Sequence, residues 1–264
     1  MRNRGIISPS KFSRKLKVEE SSVQGHKILT ISSRRSAGRH VIFLHGGAYI
    51  AEAIKGHRYI IEKLARSFAF KVSFIDYPLA PESHASKTLS VVKKACESIF
   101  HSNPQDSFFL LGDSAGGGLA LALLQILEET RGTSGPLKAA LVSPWLDISM
   151  SNPEIDKYRH ADVLLDVEGL KACGMLYAGE LDVRDPFVSP LYGKLEDLPE
   201  IKLWVSDCEL FYPDCVLLNS KLKASRGSAS SMAVKEEMVH DWIVMPIRER
   251  NETLSEIAEF FNLN

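Results

Sequence analysis

The sequence predicts an α/β fold, in which a mostly parallel central sheet is covered by helices on both faces. Three observations support this. Short β-rich apolar runs alternate with helical stretches along most of the chain, and the connections between them are short. The distinctive glycine- and histidine-containing segments fall just after apolar runs, where such a sheet collects its chemistry. With 264 residues, the chain can bury one large core and is read as a single domain over residues 1–264.

Lys27 to Ser32 and His40 to His45 are the first β-rich runs, separated by the turn SRRSAGR. From Lys55 to Phe70, Ile60, Ile61, Leu64 and Phe68 recur at helical spacing. KVSFID is a strand ending at Asp76, and Leu89, Val92, Cys96 and Ile99 mark one face of an amphipathic helix. The strand from Ser107 to Leu111 runs directly into GDSAGG. Behind it, Leu119 to Leu127 is apolar on nearly every side, which predicts a buried helix. LKAALVS, IKLWV and MAVKEEM supply further strands, with helices from about Pro213 to Ser225 and from about Arg248 to Phe261. Residues 148–182 break the rhythm with two helix-like pieces and many polar residues. Inserted between strands, they are expected to form a small helical cap, joined by the N-terminal arm of residues 1–25.

Hydrophobic residues make up 45% of the chain and charged residues 25%, the balance of a globular protein. A formal net charge of -1 provides no field to recruit nucleic acid or an anionic membrane, so a small, roughly neutral partner is expected. The basic arm (Arg2, Arg4, Lys11, Arg14, Lys15, Lys17) is read as a solvated face, since no nucleic-acid-binding motif accompanies it. No run approaches the roughly 20 apolar residues of a membrane span. Cys96, Cys173, Cys208 and Cys215 lack metal-site or redox spacing and read as reduced thiols. With no apolar secretory segment at the N-terminus, the expected compartment is the cytoplasm.

Gly112-Asp113-Ser114-Ala115-Gly116 fits G-x-S-x-G, with an apolar strand before it and a helix after it. That context predicts a strained strand-to-helix turn with an exposed hydroxyl, and glycines on either side leave room for it. His45-Gly46-Gly47-Ala48 follows another strand. Its glycines let backbone N–H groups approach the oxygen that becomes negative during acyl transfer. His240 lies late in the chain, between the last strand-like run and the last helix, where the order Ser…Asp/Glu…His places a base. The third member is a carboxylate after the IKLWV strand; Asp207, Glu209 and Asp214 all qualify by position. The histidines show no metal-ligand spacing, so no metal is expected.

With these residues in place, the chain resembles the hormone-sensitive-lipase-like esterases of the α/β-hydrolase fold. HGGAY, GDSAGG, DYPLAPE (Asp76 to Glu82), SPWLD (Ser143 to Asp147), DPFVSPLYG (Asp185 to Gly193) and the HDW segment look like that family's landmarks, in family order. The resemblance implies a carboxylesterase for short acyl chains with no metal or organic cofactor. It implies that Gly47, Ala48 and Ala115 supply the oxyanion-hole amides, with Gly46 shaping the loop, and that the register of SDCELFYPD selects Glu209 as the acid. The sequence departs from the family in three places. Ala48 stands where the family has a third glycine or, as tolerated here, an alanine; Pro78 stands where an arginine is common, and Glu209 where an aspartate is typical.

Two rival functions share this scaffold: a non-catalytic small-molecule-binding protein, and a lipase acting at an oil–water surface. The presence of Ser114, His240 and several carboxylates argues against the first, and the modest apolar content of the cap against the second. An exposed terminal strand gives two copies a means of pairing into a homodimer.

Overall fold

A computed structural model describes residues 6–36, 38–129 and 135–262; Arg2 and Arg4 of the basic arm, Ala37 of the SRRSAGR turn and the start of the expected cap arm lie outside them. Eight strands form one sheet: β1 (Lys17–Val23), β2 (His26–Ser32), β3 (Arg39–Leu44), β4 (Lys71–Ile75), β5 (Ser107–Asp113), β6 (Pro136–Val142), β7 (Glu200–Ser206) and β8 (Ser230–Lys235). Their spatial order is β1-β2-β4-β3-β5-β6-β7-β8. β2 runs antiparallel to both its neighbours, and from β4 to β8 every pairing is parallel. β3 lies between β4 and β5, so the chain leaves β3 toward one side of the sheet and later returns on the other. The crevice at this switch point opens at the carboxyl ends of β3 and β5.

Period-two alternation divides the strand side chains between two cores. Ile42, Leu44, Phe108 and Leu110 face the core shared with helices α2 (Ala85–Ser102), α3 (Ala115–Glu129) and α5 (Tyr212–Ala224). Val41, Phe43, Phe109 and Leu111 face the core shared with α1 (Lys55–Ser67) and α6 (Arg248–Asn262). Each such fully buried side chain stabilises the fold by about 1.5–3 kcal/mol. Helix α3 is buried at every position from Ala115 to Gln125, as its all-round apolar sequence predicts.

Between β6 and β7 the chain makes a short 3-10 turn (Pro153–Tyr158) and helix α4 (Val167–Ala178), the two helical pieces expected within residues 148–182. The Asp166 carboxylate caps α4 by accepting from Gly169 N–H at 2.7 Å. Buried Asp147 ties down both ends of the insertion, accepting from Ser149 N–H and Tyr192 Oη–H, each at 2.8 Å.

The N-terminal arm departs from the expectation that residues 1–25 belong to the cap. Lys17–Val23 instead forms the sheet's edge strand, joined to β2 by a two-residue hairpin. Both hairpin residues, Gln24 (φ 51°) and Gly25 (φ 82°), have the positive φ that matches the twist of paired strands. Phe12 and Leu16 are buried in the α1/α6 core, which draws the preceding turn onto the body of the fold. Ile6 to Pro9 line a cavity of about 400 Å³ with Glu52, Ala53 and residues 76–79. No helix among the described residues is long and apolar enough to cross a membrane. All four cysteines are free thiols.

Candidate active site

Ser114 sits between β5 and α3 with φ 49°, a conformation that L-residues adopt only when the surroundings over-determine it. Its N–H donates to Val142 O at 2.9 Å, and its carbonyl accepts from Gly117 N–H at 3.0 Å and Trp145 N–H at 2.9 Å. Gly116 is required by close packing: a Cβ there would lie 2.1 Å from Leu44 O and 2.5 Å from His45 O. Any side chain at position 116 would push the elbow away from the loop that follows β3.

That loop is itself held in a rare conformation. Gly47 (φ 121°), Ala48 (φ 50°) and Tyr49 (φ 62°) all have positive φ in succession. The Gly47 carbonyl accepts from Ile50 and Ala51 N–H at 3.0 and 2.8 Å, closing a tight turn. Gly46 N–H donates to Asp113 Oδ2 at 2.8 Å, so this amide shapes the loop and is not free to meet a ligand. Among the described residues no acceptor takes the N–H of Gly47, Ala48 or Ala115. His45 is buried, which lowers its pKa to about 4 and keeps it neutral; it stacks on Tyr77 with ring centroids 4.5 Å apart.

His240 follows β8 and bridges two partners. Ser114 Oγ–H donates to His240 Nε2 at 2.9 Å, and His240 Nδ1–H donates to Glu209 Oε2 at 2.5 Å. The other Glu209 oxygen accepts from Ser206 N–H at 2.9 Å, and the side chain is fully buried. Phe211 meets the imidazole edge-to-face at 5.0 Å. A hydroxyl facing an imidazole that is fixed from behind by a carboxylate can surrender its proton as it attacks a carbonyl.

The other two carboxylates stand elsewhere. Asp207 Oδ1 accepts from Glu237 N–H at 2.8 Å and braces the loop after β8. Asp214 lies in the first turn of α5 and accepts from Asn152 Nδ2–H at 2.8 Å. Trp145 stacks between Tyr49 and Phe211, the ring that meets His240, whereas Trp204 lies in the α1/α6 core and donates to Glu256.

A family model described as the alpha/beta hydrolase fold matches residues 41–244. The chain is 31% identical to an acetyl-hydrolase of Streptomyces hygroscopicus, over 79% of this chain and 69% of that one. It is 28% identical to an esterase of Acinetobacter venetianus, over 87% of this chain and 77% of that one. A crystal structure of an esterase from the bacterial hormone-sensitive lipase family superposes with a TM-score of 0.87 and 27% identity, covering 95% of this chain and 85% of the other. The chain belongs to the hormone-sensitive-lipase-like esterases of the α/β-hydrolase fold.

Beyond the landmarks of that esterase family, the structure places three residues at the site that sequence reasoning missed. Tyr177, from α4, stacks face to face on Tyr49 with centroids 3.6 Å apart. His57 and Asp241 converge on Asp113 beneath the elbow, and the ligand atoms of these three lie within 4.8 Å of one another. Their chemistry does not suit a cation. His57 Nδ1 accepts from Ile54 N–H at 2.8 Å, so the proton sits on Nε2, which donates to Asp113 Oδ2 at 3.0 Å and has no lone pair for a metal. Asp113 acts here as a structural acceptor, holding Gly46 N–H and His57 Nε2–H beneath the elbow. Tyr177 and Asp241 carry no local signal of their own.

Proposed function

We propose that this esterase hydrolyses short-chain carboxylic esters, with Ser114 as nucleophile, His240 as general base and Glu209 as the acid that orients it. The observation that carries the reading is the hydrogen-bonded chain from Ser114 Oγ through His240 to Glu209 at 2.9 and 2.5 Å, with the hydroxyl held on a positive-φ elbow. Ser114 Oγ attacks the ester carbonyl carbon while its proton passes to His240 Nε2. Glu209 stabilises the imidazolium, and the amides of Gly47, Ala48 and Ala115 donate to the oxyanion, each worth about 10²–10³ in kcat. The imidazolium then protonates the departing alcohol. Water, deprotonated by His240, attacks the acyl-enzyme and releases the acid and Ser114.

Support for a short acyl group comes from the burial of the reacting residues and the aromatic rings packed behind them. Ser114 is 8% exposed and His240 7%, and aromatic rings of Tyr49, Tyr177, Trp145 and Phe211 crowd the site. Residues 148–182 serve as the cap, with α4 supplying Tyr177. Acyl groups up to about hexanoyl gain burial free energy in such a space, and longer ones do not. The acetyl-hydrolase relative is consistent with this reading.

The test is a panel of p-nitrophenyl esters from acetate to palmitate, run with the wild type and Ser114→Ala. The expected result is a maximum at or below about hexanoate, with turnover abolished in a folded Ser114→Ala protein. A maximum at palmitate with activation by emulsion would establish a lipase. Ligand binding without turnover in the wild type would establish a binding protein.

A further inference from the structure

Two buried carboxyls flank the pair of groups that exchange a proton in the proposed reaction. Asp113 immediately precedes Ser114, and Asp241 immediately follows His240. They arrive from separate places, the end of β5 and the loop after β8, with β6 and β7 lying between those strands in the sheet. Asp113 Oδ2 accepts from Gly46 N–H and from His57 Nε2–H. Neither Asp113 Oδ1 nor Asp241 Oδ1 has a conventional donor, although both atoms are fully buried. The two carboxyls instead lie close together: one ligand atom from each, with one from His57, falls within 4.8 Å of the others. Two buried carboxylates this close cannot both stay ionised, and a proton held between them gives both orphaned oxygens a partner.

Chemistry assigns that proton. Asp113 already accepts two N–H groups, which favours its ionised form; Asp241 has no such donors on its carboxyl and carries the hydrogen. We infer that Asp241 is a positioning residue, whose carboxyl proton, donated to Asp113, clips the loop bearing His240 onto the elbow bearing Ser114. The directions of titration agree. Burial, and then the Asp113 charge, push Asp241 well above the usual carboxylate range. Burial acts to raise Asp113 too, but His57 beside it and the hydrogen bonds from His57 and Asp241 outweigh burial and hold it low. Asp241 also has φ 55°, and its N–H reaches Ser143 Oγ at 3.3 Å, so the loop rests on a strained residue that needs holding.

The titratable groups facing the pair are His57 from α1, His45 after β3, Tyr77 after β4, Glu209 after β7 and His240 itself. His45 is neutral above about pH 4. Removing the shared proton at alkaline pH therefore leaves two adjacent carboxylates near a third, Glu209, and drives the base loop away from the elbow.

The assignment rests on the ester-hydrolase reading for its kinetic consequence, so the test has two arms. In the first, kcat and KM for p-nitrophenyl butyrate are followed from about pH 6 to pH 10 in the wild type, Asp241→Ala and Asp241→Asn. Asp241→Ala should lower kcat on the order of 10²-fold, the cost of a misplaced reacting group, with KM nearly unchanged. Asp241→Asn keeps a donor toward Asp113 at every pH, so it should restore kcat at neutral pH and remove the alkaline fall that the shared proton imposes. In the second arm, the infrared difference between wild type and Asp241→Asn at neutral pH should contain a carboxylic-acid C=O band from the buried acid. Wild-type kcat in Asp241→Ala, an Asp241→Asn protein as impaired as Asp241→Ala, or absence of the acid band would each overturn the assignment. If the wild type hydrolyses no ester, the functional reading fails while the infrared band still decides the shared proton. The Asn variant and the band also decide it if Asp241→Ala does not fold.

Discussion

Glu209→Gln tests the proposed proton path at the residue where local structure leaves the side chain least freedom. The two oxygens of Glu209 have separate tasks: one accepts from Ser206 N–H at 2.9 Å, the other from His240 Nδ1–H at 2.5 Å. A glutamine has one oxygen to offer. If it stays on the buried Ser206 amide, the NH₂ group faces Nδ1 and forces the imidazole proton onto Nε2. His240 then cannot accept from Ser114, and the wrong tautomer costs about 10⁴ in kcat, about 5.5 kcal/mol. If the amide flips, Ser206 N–H loses its acceptor at a cost of about 1–3 kcal/mol, which limits that orientation to a minority of molecules. Even these hold the imidazolium with a neutral acceptor, weaker than the carboxylate by about 1 kcal/mol or more. The two orientations bracket the loss at about 10²- to 10⁴-fold in kcat, with KM within about twofold. Steady-state kinetics with p-nitrophenyl butyrate, alongside a thermal melt to verify folding, measure it. Asp207→Asn retains a carbonyl for Glu237 N–H and should lose no more than about threefold. A crippled Asp207→Asn protein beside a Glu209→Gln protein within tenfold of wild type would refute the assignment.

Two further predictions concern groups that hold the insertion. Burial raises the Asp214 carboxyl from its ordinary value of 3.8 to about 6, against the opposing hydrogen bond from Asn152. The folded state binds that proton more tightly, so the resulting stability is complete below about pH 4 and lost as pH rises through about 6, a change of about 3 kcal/mol. Asp214→Asn does not titrate, so its stability relative to wild type should grow by about that amount between pH 4 and pH 7 in urea unfolding; a pH-independent difference refutes this. Tyr177 Oη is buried without a hydrogen-bond partner among the described residues, while its ring stacks on Tyr49. Tyr177→Phe keeps the stack and removes the unsatisfied hydroxyl, and should raise stability by about 1 kcal/mol, or about 2–4 °C in Tm. A lower Tm would show that the hydroxyl is satisfied.

Much of the fold was legible because its signals are local. Each inner strand displays its two faces to separate cores, and α3 is apolar all round because it is enclosed all round. Gly112 to Gly116 announced the elbow through a packing requirement that the structure makes explicit at Gly116, where Leu44 O leaves no room for a Cβ. β1 escaped notice because an edge strand needs no alternation. KVEESSV has no buried residue, and its hairpin uses Gln24-Gly25 where Asn-Gly would have been the stronger signal. Position alone left three carboxylates open after β7. What separates them is the tight turn from Ser206 to Glu209, which folds one Glu209 oxygen back onto Ser206 N–H and directs the other toward His240.

The approach of Asp241 to Asp113 was invisible for a different reason. Each occupies a place in a motif whose neighbour carries the chemistry, and nothing in G-D-S or H-D-W points from one acid to the other. Sequence gives no measure of which loops the sheet brings together, and this contact depends on strand order: the crevice beside β3 gathers the end of β5, the His57 face of α1 and the loop after β8. Because each acid is covalently next to a reacting residue, their shared hydrogen bond constrains the Ser114–His240 separation through a single peptide unit on either side. A constraint that short transmits small displacements directly, which is why loss of one buried proton is expected to appear in kcat while leaving substrate binding nearly intact.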